Sequence, residues 1–300
     1  MLRKNAIKRI IMSSVALGIT LLLCLFPKST TLSIPEEVVY VEELTIPIYV
    51  IDQNNYVART DIVKSNNDDE IEYIISALTI GSINTHYLPN AFTAIIPENT
   101  KLIDYEVKDK LLKLNFSKDL LNIPLEKEEK LIESIVYSLC ELEGVAQVML
   151  FIEGEAFTKL PHSNKSLPLI LDKSYGINKI YNLDNIKNTS SATIYYMSKH
   201  NDNLYYIPIT KITNSNVEPV EVIVDELKST PIYETNLISY LNASYEIQDY
   251  EILENSITLS FNNNLLANLQ DKDINESVRY TLALSLRDTY NIDNIVINLN

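Results

Sequence analysis

The sequence contains the same pattern of short apolar strands and amphipathic helices twice, first over residues 45–157 and again over residues 192–300. The acidic and aromatic run Asp104-Tyr105-Glu106, for example, returns as Asp249-Tyr250-Glu251. Matched positions also include Leu114 with Leu259, Phe116 with Phe261, Ile74 with Ile223, and Tyr137 with Tyr280. A period of about 110 residues is too long for a solenoid. We therefore predict two small domains in tandem, each with a core of its own.

Each copy predicts the element order ββαββαβ, an α+β class with two helices on one face of a sheet. In the first copy the predicted elements are strands Ile46–Ile51 and Tyr56–Ile62, a helix with Ile71, Ile74, Ile75 and Leu78 inward, strands Leu102–Val107 and Leu111–Phe116, helix Glu126–Glu143, and strand Val145–Ile152. In the second they are Ile194–Met197, Tyr205–Ile209, helix Val220–Leu227, Tyr245–Leu253, Ser256–Phe261, helix Asn275–Tyr290, and Ile292–Leu299. Asn67 and Glu70 are the predicted cap of the first helix.

The N-terminus resembles a membrane-targeting segment. Four cations in residues 1–9 precede a 17-residue run without charge, residues 10–26, which is nearly long enough to cross the hydrocarbon layer as a helix. The positive-inside rule then places the body outside the cytoplasm. A retained anchor, a cleaved signal peptide and a lipoprotein signal ending at Cys24 are the three alternatives. The retained anchor is favoured, because Leu23 is not the small residue that lipidation needs and no small-x-small cleavage site follows.

Residues 27–44 form a polar, acidic tether, and residues 158–191 form a linker with Pro161, Pro168 and several leucines that we expect to dock onto a neighbouring domain. Beyond the first nine residues the chain has 21 basic against 40 acidic groups. This negative charge argues against nucleic acid as a partner, since DNA and RNA attract basic surfaces.

No set of side chains in the sequence has the spacing of a catalytic or metal site, so we predict no catalytic residue, no metal and no cofactor. His86, His162 and His200 stand in predicted loops without a nearby ligand set. Five glycines are too few for a phosphate loop or a nucleophile elbow. Cys140 is predicted to be a core residue, and with Cys24 in the membrane segment no disulfide is expected.

The acidic and aromatic clusters have structural explanations. Asp68, Asp69 and Glu70 are predicted to cap a helix, and Glu126, Glu128 and Glu129 to begin one. We expect Asp104 and Asp249 at a sheet edge or surface. The tyrosine pairs at 195–196 and 205–206 suit strand packing, although an aromatic platform for sugars is the alternative.

The central motif of the first copy resembles that of the GerM domain, found in sporulation and spore-germination proteins. The matching residues are Ile96-Pro97-Glu98-Asn99-Thr100-Lys101-Leu102, Val107-Lys108-Asp109, Leu114-Asn115-Phe116-Ser117, Ile135-Val136-Tyr137-Ser138-Leu139, Gly144-Val145 and Phe151-Ile152-Glu153-Gly154. The resemblance covers about 220 of the 300 residues and is closer in the first copy. The second copy lacks the Pro and Thr of the central motif around Leu241.

The resemblance implies a compact sheet with two helices on one face, like the ring-building domains of secretion-system and sporulation channel proteins. It also implies a non-enzymatic, membrane-anchored extracytoplasmic protein that supports assembly of an envelope or channel complex during endospore formation or germination. Its partners would be envelope or sporulation-complex proteins with similar domains. A module that binds peptidoglycan or another polysaccharide is the alternative.

Overall fold

Seven equivalent elements, together with two further short strands, follow one another in the described part of each half of the computed structural model. In the first repeat they are β1 (Thr45–Asp52), β2 (Val57–Val63), α1 (Glu70–Leu78), the short β3 (Phe92–Thr93), β4 (Leu102–Lys108), β5 (Leu111–Phe116), α2 (Glu128–Leu139), β6 (Gln147–Ile152) and the short β7 (Glu155–Ala156). After β8 (Ile180–Asn182), the second repeat has β9 (Ser190–His200), β10 (Asn203–Thr213), α3 (Pro219–Lys228), β11 (Ile247–Leu253), β12 (Ser256–Phe261), β13 (Leu266–Asn268), β14 (Asp273–Ile274), α4 (Glu276–Tyr290) and β15 (Asn294–Leu299). The predicted order ββαββαβ is thus present twice.

The chain divides into two units, Met1–Glu42 and Glu43–Asn300, and both repeats belong to the second. The structure describes residues 8, 12–15, 44–64, 69–185, 187–201, 203–214, 216–229, 236–241, 246–262, 266–268, 273–274, 276–292 and 294–299. Most of the predicted membrane segment 10–26, with Cys24, and the tether up to residue 43 lie outside these ranges, as do Asn67 and Asp68. Among the described helices none is long and apolar enough to span a membrane.

A six-stranded sheet joins the two repeats. The hairpin β1–β2 lies beside the hairpin β9–β10, with β2 next to β10 and antiparallel to it, and Arg59 opposite Tyr206. Strands β3 and β8 complete this sheet. Because β2 and β10 are the second strands of equivalent hairpins, the two repeats meet through the same edge in an approximate twofold arrangement.

The remaining strands of each repeat form a separate, smaller sheet. In the first repeat the order is β4-β5-β6-β7, and in the second it is β11-β12-β15. Strand β5 pairs antiparallel with β4 and parallel with β6, and its equivalent β12 pairs antiparallel with β11 and parallel with β15. A register irregularity occurs at equivalent positions, between Leu102 and Asp104 and between Ile247 and Asp249. The predicted single sheet per copy is therefore corrected to two.

One hydrophobic core crosses both repeats, which corrects the expectation of a separate core for each. Its fully buried members from the two halves include Ile48, Ile74, Leu114, Ile194, Ile223 and Leu259. Helix α2 packs on β1, and α3 and α4 pack on β9. The expected inward faces of the helices are confirmed, since Ile132, Ile135 and Val136 are all buried.

Several element ends differ from the prediction. Asp69 is the N-cap of α1, where its carboxylate accepts hydrogen bonds from the N–H groups of Ile71 and Glu72. Helix α2 is shorter than predicted at both ends, because a 3₁₀ turn precedes it and Cys140 has left the helical conformation with ψ near 0°. Lys110 and the residue before it both have positive φ, as a two-residue type I′ hairpin turn requires.

The linker docks onto both repeats, as expected from its leucines. Leu160, Leu167 and Leu171 are buried in the common core. The amide of Asn178 donates to the carbonyl oxygens of Val57 in the first repeat and Pro208 in the second, at 2.8 and 2.7 Å.

Close packing explains a glycine in this linker. Gly176 has φ of +78°, and a Cβ there would lie 3.1 Å from the side chain of Thr210. The linker therefore fixes the position of one repeat against the other.

Candidate functional site at the junction of the two repeats

Two equivalent tyrosines meet at the centre of the junction. Tyr49 on β1 and Tyr195 on β9 are both fully buried, and their hydroxyl oxygens lie 2.7 Å apart. Tyr49 donates to Glu141 at 2.9 Å, and Tyr195 donates to Asp288 in a short hydrogen bond. Burial, followed by these carboxylates, raises the pKa of both tyrosines well above the ordinary value, so both are neutral phenols.

Two serines hold these tyrosines in place from equivalent helices. The Tyr49 N–H donates to the hydroxyl oxygen of Ser138 on α2 at 2.8 Å, and the Tyr195 N–H donates to that of Ser285 on α4 at 2.9 Å. Each serine lies three residues before the acidic residue of its own repeat. The same side-chain set therefore occurs once in each repeat, and the two sets face each other.

Two cations neutralise the buried carboxylates. Lys173, which comes from the linker, contacts Glu141 at 2.6 Å and Asp288 at 2.8 Å. Arg287 approaches Glu141 with two nitrogens, at 2.5 and 3.1 Å, and its Nε lies 2.9 Å from Asp288. We call the six residues Tyr49, Glu141, Lys173, Tyr195, Arg287 and Asp288 the junction cluster.

The charges of the junction cluster balance one another. Burial raises the pKa of Glu141, but Lys173 and Arg287 outweigh burial and bring this pKa to about 2. The Glu141 side chain is 6% exposed and that of Asp288 is 1% exposed. Ion pairs this deeply buried resist separation, because removing one partner leaves an uncompensated charge.

A polar cleft of about 600 Å³ lies against the junction cluster, lined also by Lys110 and Asn255. The four charged side chains of the cluster line this cleft but already pair with one another. Cys140 also lines it, and burial raises the pKa of its thiol to about 12. Such a thiol stays protonated near neutral pH and is a weak nucleophile.

The residues considered as sites from the sequence do not come together. His86 and His162 are exposed and His200 is half-buried, in separate parts of the fold. Among the described residues no group of three His, Cys, Asp or Glu side chains has the arrangement of a metal site. Asp104 and Asp249 lie exposed on the outer strands β4 and β11, as expected.

The remaining acidic and aromatic candidates have roles in packing. Glu128 begins α2 and accepts hydrogen bonds from the N–H groups of His162 and Ser163 in the linker, and Glu129 forms an ion pair with Lys165 at 2.7 Å. Glu126 lies in the preceding 3₁₀ turn. In the tyrosine pairs, residues 195, 196 and 205 are buried and residue 206 packs on the core. Cys140 is half-buried at the end of α2 and not a core residue as predicted.

The sequence did not single out the members of the junction cluster. A signal existed, because aligning the serines of α2 and α4 places Glu141 opposite Asp288. The sequence comparison instead matched Tyr137 with Tyr280, a register shifted by four residues, or about one helical turn. The hydrogen bonds of Ser138 and Ser285 set the correct register.

This geometry defines a class of protein: a tandem repeat of one α+β domain, whose copies are joined edge to edge and locked by a buried polar cluster. A family model described as "Germane: Sporulation and spore germination" matches residues 47–158. The match covers the first repeat, and it confirms the resemblance of that repeat to the GerM domain family.

Two comparisons with Bacillus subtilis proteins agree with this assignment. The spore germination protein GerM of strain 168 is 24% identical, over 84% of this chain and 70% of its own length. The solved structure of the tandem GerMN domains of the sporulation protein GerM superimposes with a TM-score of 0.76 at 23% identity, covering 86% of this chain and 91% of that chain. The tandem arrangement of the fold is therefore shared with that structure.

Proposed function

We propose that this protein is a non-enzymatic, membrane-anchored extracytoplasmic protein that supports assembly of an envelope or channel complex during endospore formation or germination. The match of residues 47–158 to the sporulation and spore-germination family model, and the name of the Bacillus subtilis relative, support the developmental stage. The uncharged run 10–26, after four cations, supports the anchor and the extracytoplasmic position.

The junction cluster is the observation that carries the assembly role. Glu141, Lys173, Arg287 and Asp288 contact one another across the junction, so their charges are already paired between the repeats and the linker. Their effect is to fix the two repeats in one orientation. Within the described part of the chain, strands β4 and β11 then lie at outer edges of the two smaller sheets, where strand edges are available for partners.

The polysaccharide-binding alternative receives less support from the geometry. A sugar platform needs exposed aromatic faces. The tyrosine pairs that suggested it contribute to the core, with Tyr195 and Tyr196 at most 2% exposed.

Crosslinking in sporulating cells tests the proposal. The full-length chain is crosslinked in vivo and captured, with a form lacking residues 10–26 as the control. Capture of envelope proteins by the full chain, reduced in the control, is the expected result. Retention on insoluble peptidoglycan with no captured protein would favour the polysaccharide-binding module, and a zone of wall lysis in a zymogram would overturn the non-enzymatic assignment.

A further inference from the structure

A groove separates helix α3 from the outer strand β11 in the second repeat. It has a volume of about 460 Å³ and is lined by Glu221, Val224, Asp225, Lys228, Glu246, Ile247, Gln248, Asp249 and Tyr250. Among the described residues β11 pairs only with β12, and the first four residues of β11 line the groove. A helix beside an unpaired strand edge is the geometry in which extended peptides add to a sheet.

One backbone N–H of β11 bonds to a side chain of the same strand. The N–H of Tyr250 donates to the carboxylate of Asp249 at 2.9 Å. The carbonyl oxygen of an added strand could accept from this N–H in place of the carboxylate. The Tyr250 hydroxyl in turn donates to Glu221 on α3 at 3.2 Å, which ties strand to helix across the groove. The carboxylates of Asp249 and Glu221 therefore both lie at the groove.

The negative charge of the groove favours a positively charged partner. Four carboxylates line it, against the single ammonium of Lys228, which already pairs with Asp225 at 3.4 Å. Residues 246–254 contain four acidic groups and no basic one. The equivalent strand of the first repeat is mixed, because Lys101 and Lys108 flank its acids and Lys113 pairs with Glu106 at 2.9 Å. The two edges share a backbone geometry and differ in charge.

We propose that the groove between α3 and β11 binds an extended basic segment of a partner protein, added as a further strand to β11. Alternate side chains of that segment would pack on the half-buried Ile247 and Tyr250, and its Lys or Arg side chains would meet the carboxylates. This assignment deepens the proposed assembly role and rests on it, since it names a surface and the chemistry of a partner.

The two equivalent edges provide a matched pair of variants. Asp249→Lys with Glu251→Lys alters the proposed site, and Asp104→Lys with Glu106→Lys makes the same change of charge at the equivalent positions of β4. All four side chains are exposed, so neither variant disturbs the core. The probe is a fluorescent peptide of about seven residues with alternating valine and lysine, and its binding to the full-length chain is followed by anisotropy.

The β11 variant is expected to weaken binding by about tenfold or more, and the β4 variant by less than about twofold. A peptide of the same charge with N-methylated alternate residues should not bind, because it cannot pair with the edge. Hydrogen exchange should slow in residues 246–253 when the unmodified peptide is bound.

Equal effects of the two variants, binding by the N-methylated peptide, or no binding of the peptide at all would each overturn the strand-addition proposal. These results are distinguishable from failure of the assembly role. If the full chain captures no envelope protein in vivo, the assembly role is wrong. If the β11 variant still captures such proteins, the assembly role stands and the contact lies on another surface.

Discussion

Tyr49 and Tyr195 occupy the same position in the two repeats, and their hydroxyl oxygens are 2.7 Å apart at the junction. Each hydroxyl has a single proton, and each also contacts a carboxylate. A tyrosine at the same position of each repeat therefore forms a direct contact between the two copies.

Removal of one hydroxyl from the tyrosine pair should destabilise the protein. We expect Tyr49→Phe or Tyr195→Phe each to lower the free energy of unfolding by about 1–2 kcal/mol, because a buried carboxylate loses a donor. The double variant should lose less than the sum, since the two groups interact directly. Urea denaturation measures all three, and Tyr181→Phe, at a residue 56% exposed, is the control. Strict additivity would contradict the coupling.

The two serines should have similar importance. Ser138→Ala and Ser285→Ala each leave a buried strand N–H without its acceptor, and we expect each to cost about 1–3 kcal/mol in the free energy of unfolding. Ser229→Ala, at the exposed end of α3, should have little effect. A large loss of stability at only one of the two buried serines would show that the contact between helix and strand depends on the serine in one repeat and not in the other.

Lys173 should contribute more to the free energy of unfolding than a lysine on the surface. Lys173→Met leaves two buried carboxylates with only Arg287, and we expect a loss of about 3–5 kcal/mol measured by chemical denaturation. Lys113→Met breaks the exposed pair with Glu106 and should change stability little, because water screens that pair. Similar losses of stability in both variants would contradict a larger contribution from the buried ion pairs of the junction cluster.

The junction should weaken in acid. The pKa of Glu141 lies at about 2 in the folded chain against an ordinary 4.5, so its stabilisation is complete above pH 4.5 and is lost as the pH falls towards 2. The difference corresponds to about 3 kcal/mol. Glu141→Gln should therefore show a shallower fall in the free energy of unfolding between pH 4.5 and 2 than the natural sequence. Parallel curves would contradict this role of Glu141.

Much of the local structure follows from the sequence. The strand pair around Asp109 and Lys110 and the buried face of α1 were predicted from alternation and from helical spacing. These features depend on residues close together in the chain. Registers along helices did not follow, because a shift of about one turn keeps the same side chains on the same face. This explains why Tyr137 was matched with Tyr280 and the pairing of Ser138 with Ser285 was missed.

Local patterns in the sequence are enough to predict one α+β unit that occurs twice, in the order ββαββαβ, with a docking linker between the copies. They do not reveal that the copies share a sheet and a core, or that Lys173 from the linker neutralises Glu141 and Asp288. The difference lies in the separation of the interacting residues along the chain. Periodicity reports which face of an element is buried, whereas contacts between residues more than 100 positions apart depend on how whole elements pack.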